Sequence, residues 1–298
     1  MTVIVLTNAQ AGTSGQPQEE RESEIRQALS ADGLSADVRS VPPRQLPDAA
    51  RRALGERPDA VVAAGGDGTL SSIAGVLAGS GMPMGVLPLG TLNHFAKDLN
   101  IPTDLKQAAG IIRAGLVRDI DVAAVNGRIF INNSSIGIYP HVVRERDEQW
   151  QRLGRGKWPA MISAGIGVFR RHPMLGVRIS TNTDSRASTT PFVFVGNNEY
   201  KLSLFSLGGR DRLDRGQLCL YIAHHTGRMG MLILALRALV GRLEQSRDFE
   251  SLLVPEGWIE SRRRSLLVSV DGEVAHMAPP LHYQILPKAL RVLAPPAA

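Results

Sequence analysis

A glycine-rich loop is the stretch of this chain whose residue types best suit chemistry. It follows an apolar, strand-like run, and its members are Gly65, Gly66, Asp67, Gly68 and Thr69. Glycine permits a positive φ and lets a backbone approach a ligand closely, and N–H groups at the start of a helix bind anions. The loop lacks the lysine of a Walker A segment and does not fit GxGxxG. It therefore predicts a phosphate site of another type.

The carboxylate of Asp67 constrains what this loop can bind. Among phosphate-binding N–H groups, a carboxylate repels the ligand unless a cation lies between them or the carboxylate takes part in the chemistry. This predicts a nucleotide bound with Mg²⁺. The simpler alternative is a tight turn between a strand and a helix, which needs fewer glycines.

The elements that must position this loop recur further along the chain. Residues 84–87 are strand-like, and the segment from Gly90 to Asn93 begins another helix. Two strand–loop–helix units side by side bring both loops to the carboxyl edge of a parallel sheet. A polar loop that borders the nucleotide is predicted from Asn8. Alternating strands and helices with short connections predict an α/β domain whose parallel sheet is covered on both faces.

From residue 119 onwards the pattern changes to short alternating strands. Asn126 and Gly127 separate two of them and predict a hairpin turn. We expect a nucleotide-binding α/β domain at residues 1–118 and a β-rich domain, a sandwich of two sheets, at residues 119–298. Helices within the second domain are predicted at residues 139–150, 158–170 and 227–243.

These motifs resemble the diacylglycerol kinase catalytic-domain family, which includes bacterial lipid kinases and sphingosine kinases. The resemblance rests on GGDGT, on PLGTLNHFA at residues 88–96, and on a later segment. That segment, residues 121–137, is similar to the family's Asp-x-x-x-x-Asn-x-x-x-Phe-x-Asn-x-x-Ser-x-Gly. The resemblance spans nearly the whole chain. It implies a first domain like that of NAD kinases and phosphofructokinases, ATP and Mg²⁺ as cofactors, and a set of nucleotide contacts. These are Asn8, Ser40, Gly65, Gly66, Asp67, Gly68, Thr69, Thr91 and Asn93.

A second pair of carboxylates follows a late strand, in the run Asp271, Gly272 and Glu273. From the residues alone, Asp-Gly is an ordinary hairpin turn. The resemblance implies that Glu273 accepts the proton of the lipid hydroxyl and that Asp271 contacts the Mg-nucleotide. Asp67 would either steer Mg²⁺ or assist the hydroxyl, and the sequence does not separate these two roles.

Two positions depart from the family's pattern. Arg215 stands where bacterial members have an aspartate that binds a structural Mg²⁺, and a guanidinium repels a cation. A metal site shifted to Asp211 and Asp214 is one alternative, and an Arg–Asp pair without a metal is another. His94 replaces the aspartate that commonly follows Asn93. Both departures bear on metal dependence and substrate identity.

Composition narrows the class of protein. The chain has 298 residues and a net charge of +6, with only 5% aromatic residues and no aromatic–basic interleaving, which argues against nucleic acid as a partner. Clustered arginines are interpreted as solvated faces. They lie at residues 262–264 and at Arg210, Arg212 and Arg215. The single cysteine, Cys219, fits a reducing cytoplasm, and no run reaches the roughly 18 apolar residues of a membrane span.

The sequence therefore predicts a cytoplasmic, ATP-dependent lipid kinase that works at the periphery of the inner membrane. Its acceptor would be a diacylglycerol-like, sphingoid or phosphatidylglycerol-like lipid. One alternative is a NAD kinase, which shares the GGDG loop but not PLGTLN. Another is a nucleotide- or lipid-binding regulator without catalysis, which the two departures favour. A homodimer is compatible with the sequence, which does not fix the oligomeric state.

Overall fold

The computed structural model describes residues 1–9, 17–31, 33–141, 143, 174–182, 184–200, 209–223 and 249–296. The chain forms two compact units. Unit 1 contains Met1–Val122, Asp211–Arg215 and Leu286–Ala298, and unit 2 contains Ala123–Arg210 and Gly216–Ile285. The boundary between residues 118 and 119 stays a prediction, because compactness does not test which segments fold independently.

Unit 1 is built on a parallel sheet. Its first four strands are β1 (Thr2–Asn8), β2 (Ser35–Val41), β3 (Ala60–Gly65) and β4 (Met84–Pro88). They lie in the order β2-β1-β3-β4, with β1–β2, β1–β3 and β3–β4 all parallel. Every residue of β3 and of β4 is buried, as expected for strands covered on both faces.

Helices cover both faces of this sheet. They are α1 (Gln18–Ala31), α2 (Leu46–Gly55), α3 (Asp67–Leu77), α4 (His94–Asp98) and α5 (Leu105–Ala114), with a 3₁₀ turn at Pro43–Gln45. Helix α1 packs against α5, and α2 packs against α3. Local signals set the limits of α5. The side chain of Asp104 accepts a hydrogen bond from the N–H of Gln107 at 2.9 Å, and Gly115 ends the helix at φ 67°.

Two later segments complete unit 1. The last strand, β16 (Leu281–Leu293), pairs in parallel with β4 through Val292 and Met84. Asp121 holds both segments, because its N–H donates to the carbonyl of Leu213 at 2.7 Å and its Oδ1 accepts from the N–H of Lys288 at 2.9 Å. Asp121 is only 1% exposed, so these are buried contacts.

Unit 2 is antiparallel and β-rich. Strand β5 (Val117–Val125) begins in unit 1, and its last three residues belong to unit 2. It forms the predicted hairpin with β6 (Arg128–Phe130), with Asn126 at φ 48° and Gly127 at φ 79°. The left-handed conformation of both turn residues is the one that Asn-Gly favours.

The remaining strands of unit 2 form two sheets. They are β7 (Asn133–Gly137), β8 (Leu175–Thr181), β9 (Ser185–Thr190), β10 (Phe192–Asn197), β11 (Leu218–Ala223), β12 (Phe249–Val254), β13 (Glu256–Ser261), β14 (Leu266–Val270) and β15 (Glu273–Met277). One sheet runs β16-β13-β8-β9, and the other runs β12-β11-β10-β7-β14-β15. Both contribute to a single apolar core that includes Ile259 and Tyr283 from the first, and Ile136, Val193 and Leu220 from the second. The predicted fold class, an α/β domain followed by a β-rich domain, is confirmed.

The helices predicted at residues 158–170 and 227–243 lie outside the described residues, as does most of the one at 139–150. In the part of the chain that the structure describes, no helix combines the length and apolarity needed to cross a membrane.

Candidate functional site

The glycine loop links β3 directly to α3, as the sequence predicts. Its glycines, however, do not adopt positive φ angles. Two of them are required instead for close approach within the protein. A Cβ on Gly65 would lie 2.6 Å from the Oγ1 of Thr69, and a Cβ on Gly66 would lie 3.2 Å from the Cα of Gly90. Among the described residues outside its own helix turn, no atom would lie within 4 Å of a Cβ on Gly68, so this side of the start of α3 is not crowded by them.

The second loop, from Gly90 to Asn93, is held in its conformation by hydrogen bonds of its own asparagine. Asn93, at φ 49°, is 4% exposed. Its Nδ2 donates to the carbonyl of Gly90 at 2.8 Å, and its Oδ1 accepts from the N–H of Gly90 at 2.9 Å. Thr91 is exposed. The prediction that Asn93 contacts the phosphates is not tested, but the geometry assigns its amide a bracing role in the loop.

Asp67 joins the two loops. Its Oδ2 accepts from the N–H of His94 at 3.2 Å and its Oδ1 accepts from the N–H of Phe95 at 3.1 Å. A carboxylate at the start of α4 satisfies N–H groups that have no partner within that helix. His94 therefore contributes its main chain to the site. Asp67 fixes the position of one loop relative to the other.

Two buried hydroxyl groups lie at the carboxyl ends of β1 and β2. Thr7 and Ser40 face each other as register partners, and neither hydroxyl oxygen has a hydrogen-bond partner among the described residues. A buried hydroxyl left unsatisfied costs about 1–3 kcal/mol. Such orphaned donors at the carboxyl edge fit a polar ligand. Asn8 follows Thr7 at the end of β1.

In unit 2, the turn between β14 and β15 carries Asp271 at φ 47° and Gly272 at φ 84°. The Asp271 carboxylate accepts three main-chain hydrogen bonds, from Ile131 at 2.9 Å, Asn132 at 2.9 Å and Asn133 at 3.0 Å. It thereby fixes the connection between β6 and β7. The predicted contact of Asp271 with Mg-nucleotide is not tested.

Arg210 holds the same connection from another direction. Its Nη1 donates to the carbonyls of Ile131 at 2.7 Å and Asn197 at 2.9 Å, and its Nη2 donates to the Oδ1 of Asn132 at 3.0 Å. Its guanidinium also lies 5.1 Å from the ring centre of Tyr200. At 5% exposure it is buried. The prediction of a solvated arginine is therefore wrong here, since oxygen acceptors from residues distant in sequence compensate its burial.

Glu273, the predicted base, is 61% exposed and forms an ion pair with Arg128. The Nη2 of Arg128 donates to its Oε2 at 2.5 Å. The sequence did not point to Arg128 as a functional residue. Its place directly after the predicted Asn126-Gly127 turn was the one available signal. An exposed pair of this kind adds little to stability, so its interest lies in the orientation of the Glu273 carboxylate.

The predicted metal ligands are differently engaged. Asp214 receives the Nε of Arg212 at 2.8 Å and its Nη2 at 2.9 Å, which uses both carboxylate oxygens. This guanidinium lowers the pKa of the Asp214 carboxyl below its ordinary value. Asp211 is exposed, and no cluster of three or more His, Cys, Asp or Glu side chains suited to a metal occurs among the described residues. The Arg212 guanidinium thus occupies both oxygens of Asp214, and a structural Mg²⁺ at Asp211 and Asp214 stays a prediction. The arrangement corresponds to the Arg–Asp alternative, with Arg212 instead of Arg215 as the partner.

Comparison with known proteins finds a family whose sequence model includes both of the loops that Asp67 links. Residues 2–125 match the sequence model of the diacylglycerol kinase catalytic domain. These residues belong to that family. The predicted family is thus confirmed for the part of the chain that carries GGDGT and PLGTLN, whereas Asp271 and Glu273 lie beyond the matched diacylglycerol kinase catalytic domain.

Curated relatives agree with this assignment. A diacylglycerol kinase of Staphylococcus saprophyticus is 38% identical over 90 residues, 30% of each chain. One of Staphylococcus aureus is 40% identical over 90 residues, 30% of this chain and 29% of its own. An uncharacterized protein of Synechocystis is 27% identical over 259 residues, 85% of this chain and 58% of that protein. The matched part thus spans little more than half of one relative and under a third of the others.

Solved structures extend the likeness to the whole fold. A crystal structure of a diacylglycerol kinase from Bacillus anthracis has a TM-score of 0.71 at 20% identity, covering 99% of this chain and 97% of that chain. Another Bacillus anthracis structure has a TM-score of 0.75 at 22% identity, and the match covers 99% of this chain and 98% of that chain. At these identities the likeness establishes the fold.

Proposed function

We propose that this protein is an ATP-dependent lipid kinase that transfers the γ-phosphate of ATP to a lipid hydroxyl. One observation carries the proposal. The two loops predicted to bind phosphate are held against each other within the segment that matches the diacylglycerol kinase catalytic domain. Asp67 binds the main chain of the second loop, and Gly66 packs against Gly90. Preorganised N–H groups of this kind stabilise charge without rearrangement during the reaction.

The phosphates would bind at the start of α3. The first N–H groups of a helix have no partner within it, and the helix dipole favours an anion there. No described residue outside α3 crowds Gly68, which supports room for the phosphate groups there. ATP supplies the transferred phosphoryl group and carries Mg²⁺ as its own counterion. The chain's residues would bind and align it.

The hydroxyls of Thr7 and Ser40 would complete the nucleotide site by bonding to the ribose or the base. We expect the double variant Thr7→Val and Ser40→Ala to bind ATP about 30-fold more weakly, because each of the two lost hydrogen bonds is worth about 1 kcal/mol. Its unfolding free energy without ATP should not fall, since neither hydroxyl has a hydrogen-bond partner among the residues that the structure describes. Calorimetric titration with ATP and urea denaturation measure the two quantities.

Ser30→Ala is the matched control, because that hydroxyl is bonded to the carbonyl of Arg26 at 2.7 Å on the surface of α1. It should leave ATP affinity unchanged. A double variant that binds ATP as tightly as the wild type would show that Thr7 and Ser40 do not contact the nucleotide.

Phosphoryl transfer requires in-line positioning and charge stabilisation more than covalent chemistry. Glu273 would accept the proton of the attacking hydroxyl, with Arg128 orienting its carboxylate. Asp67 acts on the loops through His94 and Phe95, and its two roles predicted from sequence stay predictions. The acceptor lipid would be reached by peripheral contact, which a net charge of +6 favours at an anionic surface.

The decisive experiment is transfer of labelled γ-phosphate from Mg-ATP to a total bacterial lipid extract in mixed micelles. We expect a labelled lipid from the wild type, and a rate lower by about 10²-fold or more for Glu273→Gln and for Asp67→Asn. Chromatography of the product would identify the acceptor. NAD is offered in parallel as the acceptor of the alternative kinase class.

Glu260→Gln is the control for Glu273→Gln, because Glu260 is also an exposed glutamate ion-paired with an arginine, Arg178. It should transfer phosphate at the wild-type rate. Labelled NADP in place of a lipid would reassign the protein to the NAD kinases. Tight ATP binding without any labelled product would instead support a binding protein that lacks catalysis.

A further inference from the structure

Two serines of unit 2 form a second pair of orphaned hydroxyls. Ser135 of β7 and Ser269 of β14 are register partners in adjacent antiparallel strands. Each is 1% exposed, and neither hydroxyl has a hydrogen-bond partner in the described part of the chain. Partners directly opposite each other project from the same face, with their Cβ atoms about 5 Å apart. Both hydroxyls can therefore point at one acceptor atom.

The neighbouring serine of β7, Ser134, shows that the lack of a hydrogen-bond partner is not general for the serines of this strand. Ser134 projects from the opposite face, and its hydroxyl is hydrogen-bonded to that of Tyr283 at 3.1 Å. The strand thus satisfies the buried hydroxyl on its core side. The pair formed by Ser135 and Ser269 is left without the bond that buried hydroxyl groups normally make.

The surroundings of the pair suit an apolar molecule with one polar atom. In the same row across the sheet, Ser135 is the register partner of Phe194, and Phe194 is the partner of Tyr221. The Phe194 and Tyr221 rings lie 5.8 Å apart. Across the sheet, the aromatic side chains of Tyr221 and Phe194 are therefore followed by the small hydroxyl side chains of Ser135 and Ser269.

The pair is also close in sequence to the predicted catalytic turn. Ser269 lies in β14, two residues before the turn residue Asp271, and Ser135 lies two residues after Asn133, which Asp271 binds. Two residues of a strand span about 7 Å. A lipid hydroxyl attacking near this turn would have its next oxygen-containing group within reach of the two serines.

We propose that Ser135 and Ser269 together bind the ester carbonyl oxygen of an acylglycerol acceptor. A carbonyl oxygen has two lone pairs and accepts from both hydroxyls, and in a glycerolipid it lies only a few covalent bonds from the free hydroxyl. A sphingoid base has no ester carbonyl. The pair would therefore select glycerolipids over sphingoid lipids, an inference that rests on the lipid kinase function proposed above.

The test compares a diacylglycerol with the dialkyl ether of the same chain length, in which each carbonyl is replaced by a methylene group. We expect the wild type to favour the diester by about tenfold in kcat/KM, equivalent to about 1.4 kcal/mol. Ser135→Ala and Ser269→Ala should each reduce this preference, and the double variant should lose it. Binding of a fluorescent diacylglycerol and its ether analogue to the ATP-free protein in micelles provides the same ratio without turnover.

Ser134→Ala is the matched control and should keep the preference while the free energy of unfolding falls. Equal use of both lipids by an active wild type would overturn the inference and leave the kinase function standing. Serine variants that keep the preference would also overturn it, by showing that the hydroxyls bind only a structural water. Absence of transfer to any lipid would contradict the proposed function, and equal binding of the two fluorescent lipids would then refute the carbonyl site separately.

Discussion

Gly90→Ala is expected to lower kcat/KM for ATP by about 10²-fold, because a displacement of about 1 Å at a reacting centre has that effect. A Cβ at this position would lie 2.5 Å from the Cα of Gly66 and 2.7 Å from the Oδ1 of Asn93. The first contact is with backbone, so the clash cannot be relieved by turning a side chain. The two loops must move apart, and the phosphate N–H groups move with them. Steady-state kinetics at varied ATP measures the loss.

Gly75→Ala is the control for this variant. Gly75 lies within α3, and in the described part of the chain a Cβ there would meet no atom within 4 Å outside its own helix. Alanine in a helix interior stabilises by about 0.5–1 kcal/mol relative to glycine, so Gly75→Ala should keep full activity and melt at a slightly higher temperature. If Gly90→Ala retained wild-type kinetics, the contact between the loops would not position the phosphates.

Asp271→Ala is expected to lower the free energy of unfolding by about 3 kcal/mol. The carboxylate is the acceptor for the N–H groups of Ile131, Asn132 and Asn133, which alanine would leave unsatisfied. Asp271→Asn retains one acceptor oxygen and a side chain that tolerates the left-handed backbone, so it should lose about half as much. Urea denaturation monitored by tryptophan fluorescence gives both values.

Asp184→Asn provides the comparison for Asp271→Asn. Asp184 is 53% exposed and paired with Arg186 at 2.7 Å, an arrangement worth under about 1 kcal/mol. If Asp271→Asn were no more destabilising than Asp184→Asn, the three main-chain bonds would be unimportant for folding. An Asp271→Asn protein that folds normally but transfers no phosphate would instead favour the nucleotide contact implied by family resemblance.

Local sequence signals predicted much of the fold correctly. The Asn126-Gly127 hairpin and the two strand–loop–helix units depend on residues adjacent in sequence, which set backbone conformation directly. The pairing of both loops through Asp67 could not be predicted in this way. The Asp67 carboxylate bonds to residues 27 and 28 positions away, and no propensity or periodicity encodes which main-chain groups it reaches.

The candidate site in unit 2 was harder to predict for the same reason. Arg210 belongs to a charge run, which normally indicates solvent, yet its acceptors come from Ile131, Asn132 and Asn197. The partner of Glu273, Arg128, is 145 residues away. Sequence indicates which side chains carry chemistry, whereas long-range pairing decides which of them are oriented and which are merely structural.

Strand β16 has a consequence for how the protein can be made. Because Val292 pairs with Met84, the sheet that carries the glycine loop gains a strand from near the carboxyl end of this chain. On the ribosome, β4 must remain an open edge until residue 292 has emerged, and exposed edges of this kind invite pairing with other chains. A fragment ending at residue 125 would keep that edge permanently. The family-matched segment is therefore best produced with the rest of the chain attached.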